Sequence, residues 1–152
     1  MIIVPGDLSD PRIIALLELH VARALATGPP ESCHAFDVAG LQVPEVTFWA
    51  GWEAEHLAAI GALLELSPTH GEVKSMHTVE AMRGRGFGDA MLNHIVSTAR
   101  QRGYQRLSLE TGAMDYFAPA RALYARHGFI ECPPFGDYKI DPNCVFMTLA
   151  LR

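Results

Sequence analysis

The chain has 152 residues, an apolar content of 49%, a charged content of 19% and a formal net charge of −5. These values predict one globular domain over residues 1–152 with a sizeable core, and they exclude an intrinsically disordered chain. A net acidic chain also argues against a nucleic-acid partner, which calls for a basic face.

In chain order, Ile2 to Val4 reads as a short strand. Asp10 followed by Pro11 predicts a helix N-cap and a proline in the first turn; Ile14, Leu17, Val21 and Leu25 then share one helical face, and Gly28 ends the helix. Gly28-Pro29-Pro30 is a break. Residues 31–45 carry no clear period, with room for a short helix over Asp37 to Gln42. Val46 to Trp52 and Leu57 to Leu66 read as two strands joined at Glu53 to His56; Ser67 to Gly71 is a turn and Val73 to Val79 a further strand. Leu92, Ile95, Val96 and Ala99 mark a helix over Asp89 to Arg102, stopped by Gly103. Arg106 to Thr111 alternates as a strand, Pro119 to His127 reads as a helix ended by Gly128, and Phe129 to Cys132 and Val145 to Leu151 close the chain as strands linked by Pro133 to Asn143. The order β-α-(α)-β-β-β-α-β-α-β-β predicts an α/β (α+β) fold. Its mixed, mostly antiparallel central sheet has about 6–7 strands and about four helices, with one right-handed βαβ crossover over residues 73–111.

Cys33, Cys132 and Cys144 form no Cys-x-x-Cys pair, so neither a disulfide framework nor a structural zinc site is expected. The histidines show no His-x-x-x-His spacing, and no metal is expected. The apolar start, Met1 to Val4, is too short for a signal peptide, and the longest apolar run, Leu57 to Leu64, is far below the roughly 20 residues that span a bilayer. A cytoplasmic protein with no membrane partner is expected.

The chemistry concentrates at Arg83-Gly84-Arg85-Gly86-Phe87-Gly88, between a strand and a helix. Glycines let the backbone turn tightly toward an anion, and the first N–H groups of a helix lack internal partners and sit at the positive end of its dipole. Two guanidinium groups add full charge. The pattern points to a diphosphate. A dinucleotide fingerprint would need a third glycine where Asp89 stands, although Glu110 lies about where a ribose-binding acid would; a P-loop is excluded because no Gly-x-x-x-x-Gly-Lys is present. The plain alternative is a glycine-rich connection with solvated arginines.

The same six residues match the Arg/Gln-x-x-Gly-x-Gly/Ala loop, and the chain resembles the GNAT (Gcn5-related N-acetyltransferase) superfamily. Ala122-Leu123-Tyr124 followed by Gly128-Phe129 is a second match; Lys74-Ser75-Met76-His77-Thr78 and Pro134-Phe135-Gly136-Asp137-Tyr138 are similar to a bacterial subgroup of N-acetyltransferases. The resemblance implies acetyl-CoA as cosubstrate, with its diphosphate on the backbone amides of Arg83, Gly84, Arg85, Gly86, Phe87 and Gly88, together with Asp89. It implies that the pantetheine arm lies beside Met76, His77 and Thr78, where two strands splay and the arm adds like a strand, with an amide near His77 or Thr78 as oxyanion donor. It implies Tyr124 as the general acid that protonates the leaving thiolate; the alternative for Tyr124 is a packed core aromatic. The base stays open among Glu110, Glu53, Glu72 and His77.

Phe48, Trp49 and Trp52 alternate on one strand, with Phe48 and Trp49 on opposite faces; core packing is the preferred reading over an acceptor floor. Asp137, Tyr138 and Lys139 lie in the last linker, which family geometry places near the acceptor. The activity implied is direct transfer of the acetyl group to a primary amine of a small molecule or peptide, and family habit allows a homodimer. The rival readings are a non-catalytic acyl-CoA-binding sensor or interaction module on the same fold, and a nucleotide-binding oxidoreductase.

Overall fold

In the computed structural model, which describes residues 1–151, the first strand, β1 (Ile2–Pro5), leads into the first helix, α1 (Pro11–Ala26). The helix starts as the sequence predicts. The Asp10 carboxylate accepts the amide N–H of Arg12 at 2.9 Å, and Pro11 fills a first-turn position that needs no N–H. Its buried face differs from the predicted one. Ile13, Leu16 and Leu17 are buried, with His20 and Ala24 half-buried at the same helical spacing, whereas Leu25 is exposed. Leucines and alanines run most of the way around this helix, so apolar spacing alone does not choose between neighbouring faces.

Three antiparallel strands follow: β2 (Val46–Glu53), β3 (His56–Ser67) and β4 (His70–Thr78). Then come α2 (Phe87–Gln101), β5 (Arg106–Gly112), α3 (Ala118–Arg126), β6 (Ile130–Glu131) and β7 (Cys144–Ala150). The seven strands form one sheet in the order β1-β2-β3-β4-β5-β7-β6, antiparallel throughout except for β4 beside β5. Two segments are smaller than predicted. The fourth helical segment, Asp37 to Gln42, is a single 3-10 turn (Gly40–Gln42), held where the Asp37 carboxylate accepts the Gly40 amide at 2.8 Å. The strand after Gly128 keeps only Ile130 and Glu131, because Pro133 and Pro134 have no N–H to continue the ladder.

Each sheet face has its own core. On one, Ile13, Leu16 and Leu17 of α1 pack with Phe48, Leu57 and Ile60; on the other, Met91, Leu92 and Ile95 of α2 pack with Trp49, Leu63, Leu107 and Leu109. The alternation of Phe48 and Trp49 thus feeds both cores, as the sequence predicts for packing residues. Burying each leucine- or isoleucine-sized side chain stabilises the fold by roughly 1.5–3 kcal/mol. Among the described residues no helix is long and apolar enough to cross a membrane.

One irregularity positions everything functional. Ile60 faces His77 and Ala62 faces Lys74, so β4 carries one residue more than β3 across this step. The extra residue is absorbed at Ser75, a non-glycine residue at φ +56°. Such a bulge bends its strand. Pairing of β4 with β5 runs from His70↔Arg106 to Glu72↔Ser108 and then stops, and beyond Glu72 the two strands diverge.

Candidate active site

At the end of β4 the chain makes a 3-10 turn (Glu80–Met82) and enters the glycine corner. Gly84 (φ +76°) and Gly86 (φ +81°) both occupy the left-handed region, which a side chain would strain; Gly86 is the N-cap of α2. The first bond of the helix runs from the Ala90 amide to the Gly86 carbonyl. Among the described residues, the amides from Gly84 to Asp89 make no backbone hydrogen bond, and they stand at the positive end of the α2 dipole. The corner therefore offers consecutive free donors to an anion. The predicted Arg83 amide is not among them, because it donates to the Glu80 carbonyl at 3.3 Å; Arg83 adds instead a guanidinium whose Nε donates to the Thr78 carbonyl at 3.3 Å. The Arg85 guanidinium turns away, 5.0 Å from the Phe87 ring centre and 3.2 Å from the Met82 sulfur. Asp89 directs its carboxylate to the end of α3, where His127 Nε2 lies at 2.8 Å and Arg126 at 3.2 Å.

This corner opens into a cleft of about 570 Å³ that follows the gap between β4 and β5. Met76, His77, Thr78, Arg83, Gly84, Gly86, Phe87, Gly88, Asp89 and Tyr124 all line it; of the predicted site residues only Arg85 does not. The side of β4 facing β5 has no strand partner past Glu72, so its backbone groups are available to an amide-bearing arm. The Ser75 hydroxyl, at the bulge, is buried with no hydrogen-bond partner. A diphosphate with an attached amide chain fits these features: free N–H groups at one end, an unpaired strand edge along the middle and an orphaned polar atom beside it.

Tyr124 lies on the inner face of α3, 7% exposed, its ring 5.9 Å from that of Phe129. Among the described residues its hydroxyl makes no hydrogen bond, and the residue lines the cleft. Burial, and then the charge of Glu110, raise its pKa well above the ordinary phenol value, so it stays protonated. Of the four candidate bases, Glu110 and His77 line the cleft. Burial pushes the Glu110 carboxyl up to about 7, against the opposing pull of Lys74. His77 is driven down to about 4 by burial and by Arg83 and Arg23, so its ring is neutral. Glu53 is remote, paired with the N-terminal ammonium at 3.1 Å, and Glu72 is buried in bonds of its own.

Those bonds build the far wall. Lys74 Nζ, buried on β4, donates to the His34 carbonyl at 2.9 Å and to the Tyr138 hydroxyl at 3.1 Å, pairs with Glu72 at 3.5 Å and sits 4.3 Å from the centre of the Phe36 ring. Tyr138 in turn donates to Glu72 at 2.6 Å. The Ser32 hydroxyl donates to Asp141, and the Cys144 thiol donates to the Ser32 carbonyl at 3.6 Å. One buried cation and one serine thus tie residues 32–36 to the β6–β7 linker. Of the linker residues singled out in the sequence, Tyr138 belongs to this wall, while Asp137 and Lys139 are exposed.

Two residues escaped the sequence reading. Lys74 reads in the sequence only as part of a motif; its buried position follows from pairings with residues 34, 36, 72 and 138 that no local pattern reports. His20 lies on the α1 face that the structure buries, one residue out of phase with the face the apolar spacing predicts. Its ring meets His77 edge-on, Nδ1 to Nδ1 at 3.0 Å, and lines the same cleft.

The fold places the chain among the acetyltransferases. The chain belongs to the acetyltransferase (GNAT) family, whose model matches residues 13–129. It is 48% identical over 145 residues to the Bacillus subtilis (strain 168) protein named uncharacterized N-acetyltransferase YsnE, covering 95% of this chain and 96% of that one. A solved structure from Klebsiella pneumoniae, assigned as an acyl-CoA N-acyltransferase, superposes with a TM-score of 0.81 at 28% identity, over 99% of this chain and 97% of that one. A Bacillus subtilis acetyltransferase solved in complex with CoA shares the fold, with a TM-score of 0.72 at 18% identity over 99% of this chain and 98% of that one.

Proposed function

We propose that this chain, as a single domain over residues 1–152, transfers the acetyl group of acetyl-CoA directly to a primary amine of a small molecule or peptide, in the cytoplasm. The observation that carries the reading is the continuity of three features in one cleft: free amides at Gly84 to Asp89, an unpaired β4 edge from Val73 to Thr78, and Tyr124 with Glu110 in the lining. Acetyl-CoA, when bound, supplies an activated thioester. The amides of Gly84 to Asp89, with Arg83, hold its diphosphate, and the edge at Met76, His77 and Thr78 holds the arm. An amide near His77 or Thr78 donates to the carbonyl oxygen and favours the charge that develops there.

Glu110 serves the acceptor. Its carboxyl ionises near neutral pH, so it attracts an alkylammonium and takes one proton from it. Tyr124, kept protonated by burial, donates its hydroxyl proton to the departing thiolate. The wall built around Lys74 and Ser32 bounds the acceptor, because those segments take no part in the anion corner. Every residue named lies on one chain, so the reading does not require the homodimer that family habit allows.

The test is a panel of amines (amino acids, polyamines, aminoglycosides and short peptides) incubated with protein and acetyl-CoA, following free thiol and identifying products by mass spectrometry. We expect thiol release with at least one amine and a product acetylated on nitrogen. Tight acetyl-CoA binding with no turnover on any amine would instead favour the sensor reading.

A further inference from the structure

The contact between His20 and His77 constrains chemistry more sharply than its distance suggests. Two Nδ1 atoms at 3.0 Å with rings edge to face can be joined only by a hydrogen bond, so one Nδ1 carries a proton and the other does not. For two neutral rings this fixes opposite tautomers. Hence one ring presents a bare Nε2 and the other an Nε2–H. Both rings line the cleft beside the proposed thioester position.

The proposed reaction has a matching need. An acceptor nitrogen that begins as an ammonium and ends as an amide sheds two protons, and Glu110 accounts for one. We propose, resting on the acetyltransferase reading above, that His77 takes the second proton from the acceptor nitrogen and that His20 is the positioning residue that makes it able to do so. His20 Nδ1 accepts the His77 Nδ1–H, which leaves His77 Nε2 bare toward the cleft. As the N–H bond of the acceptor breaks, its electron pair stays on nitrogen and an Nε2–H bond forms on His77. The Nδ1 proton of His77 shifts across to His20, and the charge rests on the pair. The pair then returns one proton to the ionised Tyr124, which has given its own to the thiolate. Protons balance: two leave nitrogen, one reaches the thiol and one is released from Glu110.

The surroundings suit a neutral pair that ionises only in passing. Arg23 on α1, Lys74 on β4 and Arg83 beyond β4 face it with positive charge, and Glu110 and Tyr124 line the same cleft. Burial, the largest influence on both rings, and the neighbouring positive charge together lower each to about 4. A resting charge is thereby disfavoured, and the proton is not trapped.

The test uses the full chain with 15N-labelled histidine. In the native protein, NMR should show both rings neutral from pH 8 to pH 5.5, His77 as the Nδ1–H tautomer and His20 as the Nε2–H tautomer; the reverse assignment would overturn the relay. In His20→Asn, the His77 ring should become a mixture of tautomers. With the best amine from the panel, His20→Asn and His77→Gln should each lower kcat by about a hundredfold. Calorimetric acetyl-CoA affinity should not change in His20→Asn, and the double variant should be no slower than His77→Gln alone. Two rings in the same tautomer, or a His20→Asn enzyme with native kcat, would overturn the relay. Native turnover distinguishes the two failures: if the native enzyme acetylates an amine and His20→Asn does so equally well, only the histidine pair is wrong. If no amine is acetylated by the native protein, the reading beneath it fails, and the NMR tautomers still decide whether the pair exists.

Discussion

Replacing Glu110 with glutamine is expected to make the protein more stable and less active at the same time. The carboxyl has an ordinary pKa of 4.5 and is pushed to about 7 in the fold, first by burial, with the Lys74 charge partly opposing. The folded chain therefore binds this proton more tightly than the unfolded chain does. Below pH about 4.5 the group is protonated in both states and costs nothing. As pH rises from about 4.5 to about 7 the unfolded state releases the proton first, so stability falls, and above pH 7 the full cost is present. The shift corresponds to at most about 3 kcal/mol, of the order of 5–10 °C in Tm for a chain of this size. Glutamine keeps the shape and removes the charge. Thermal melts at pH 5 and pH 8 check it: native and Glu110→Gln proteins should nearly coincide at pH 5 and separate at pH 8, with the variant higher. In the same variant kcat/KM should drop about 10²- to 10³-fold, and the rise in activity through pH 7 should vanish. Coincident melts at pH 8 would mean that the carboxyl is not held in a desolvated site.

Tyr124→Phe is expected to lower kcat by about 10²- to 10³-fold while leaving acetyl-CoA affinity and stability nearly unchanged. The ring packs beside Phe129, and phenylalanine preserves that contact. Among the described residues the hydroxyl has no hydrogen-bond partner, so removing it leaves no buried donor or acceptor unsatisfied. This pattern separates an acid that acts on the leaving thiolate from a core aromatic. A packing role predicts a native kcat in the phenylalanine variant, and a binding role predicts a weaker acetyl-CoA Kd. Thiol release under saturating acetyl-CoA, set beside calorimetry on the same preparations, resolves all three.

What the sequence could report was governed by range. The glycine corner, the N-cap at Asp10, the hairpin at Glu53 to His56 and the strand-helix alternation after Val73 are local patterns, and each is found where its residues predict. The splay of β4 from β5 was available only through family resemblance. Its physical cause is a bulge at Ser75, where no glycine or asparagine advertises a left-handed residue. The far wall was illegible for a related reason: a lysine reads as a solvated charge, and only the joint approach of Glu72, Tyr138, Phe36 and the His34 carbonyl makes Lys74 a buried cation. On α1, a one-residue error in phase turned His20 away from the sheet and hid its contact with His77. Amphipathic spacing locates a helix far better than it orients one whose apolar residues surround it.

A crystal structure of the protein with acetyl-CoA bound decides whether the backbone amides at the Gly84 to Asp89 corner hold the diphosphate. The phosphates should lie on those amides, with the pantetheine arm between β4 and β5 and the thioester sulfur near the Tyr124 hydroxyl. Phosphates seated at any other surface, or an arm that leaves the β4 edge bare, would contradict that placement.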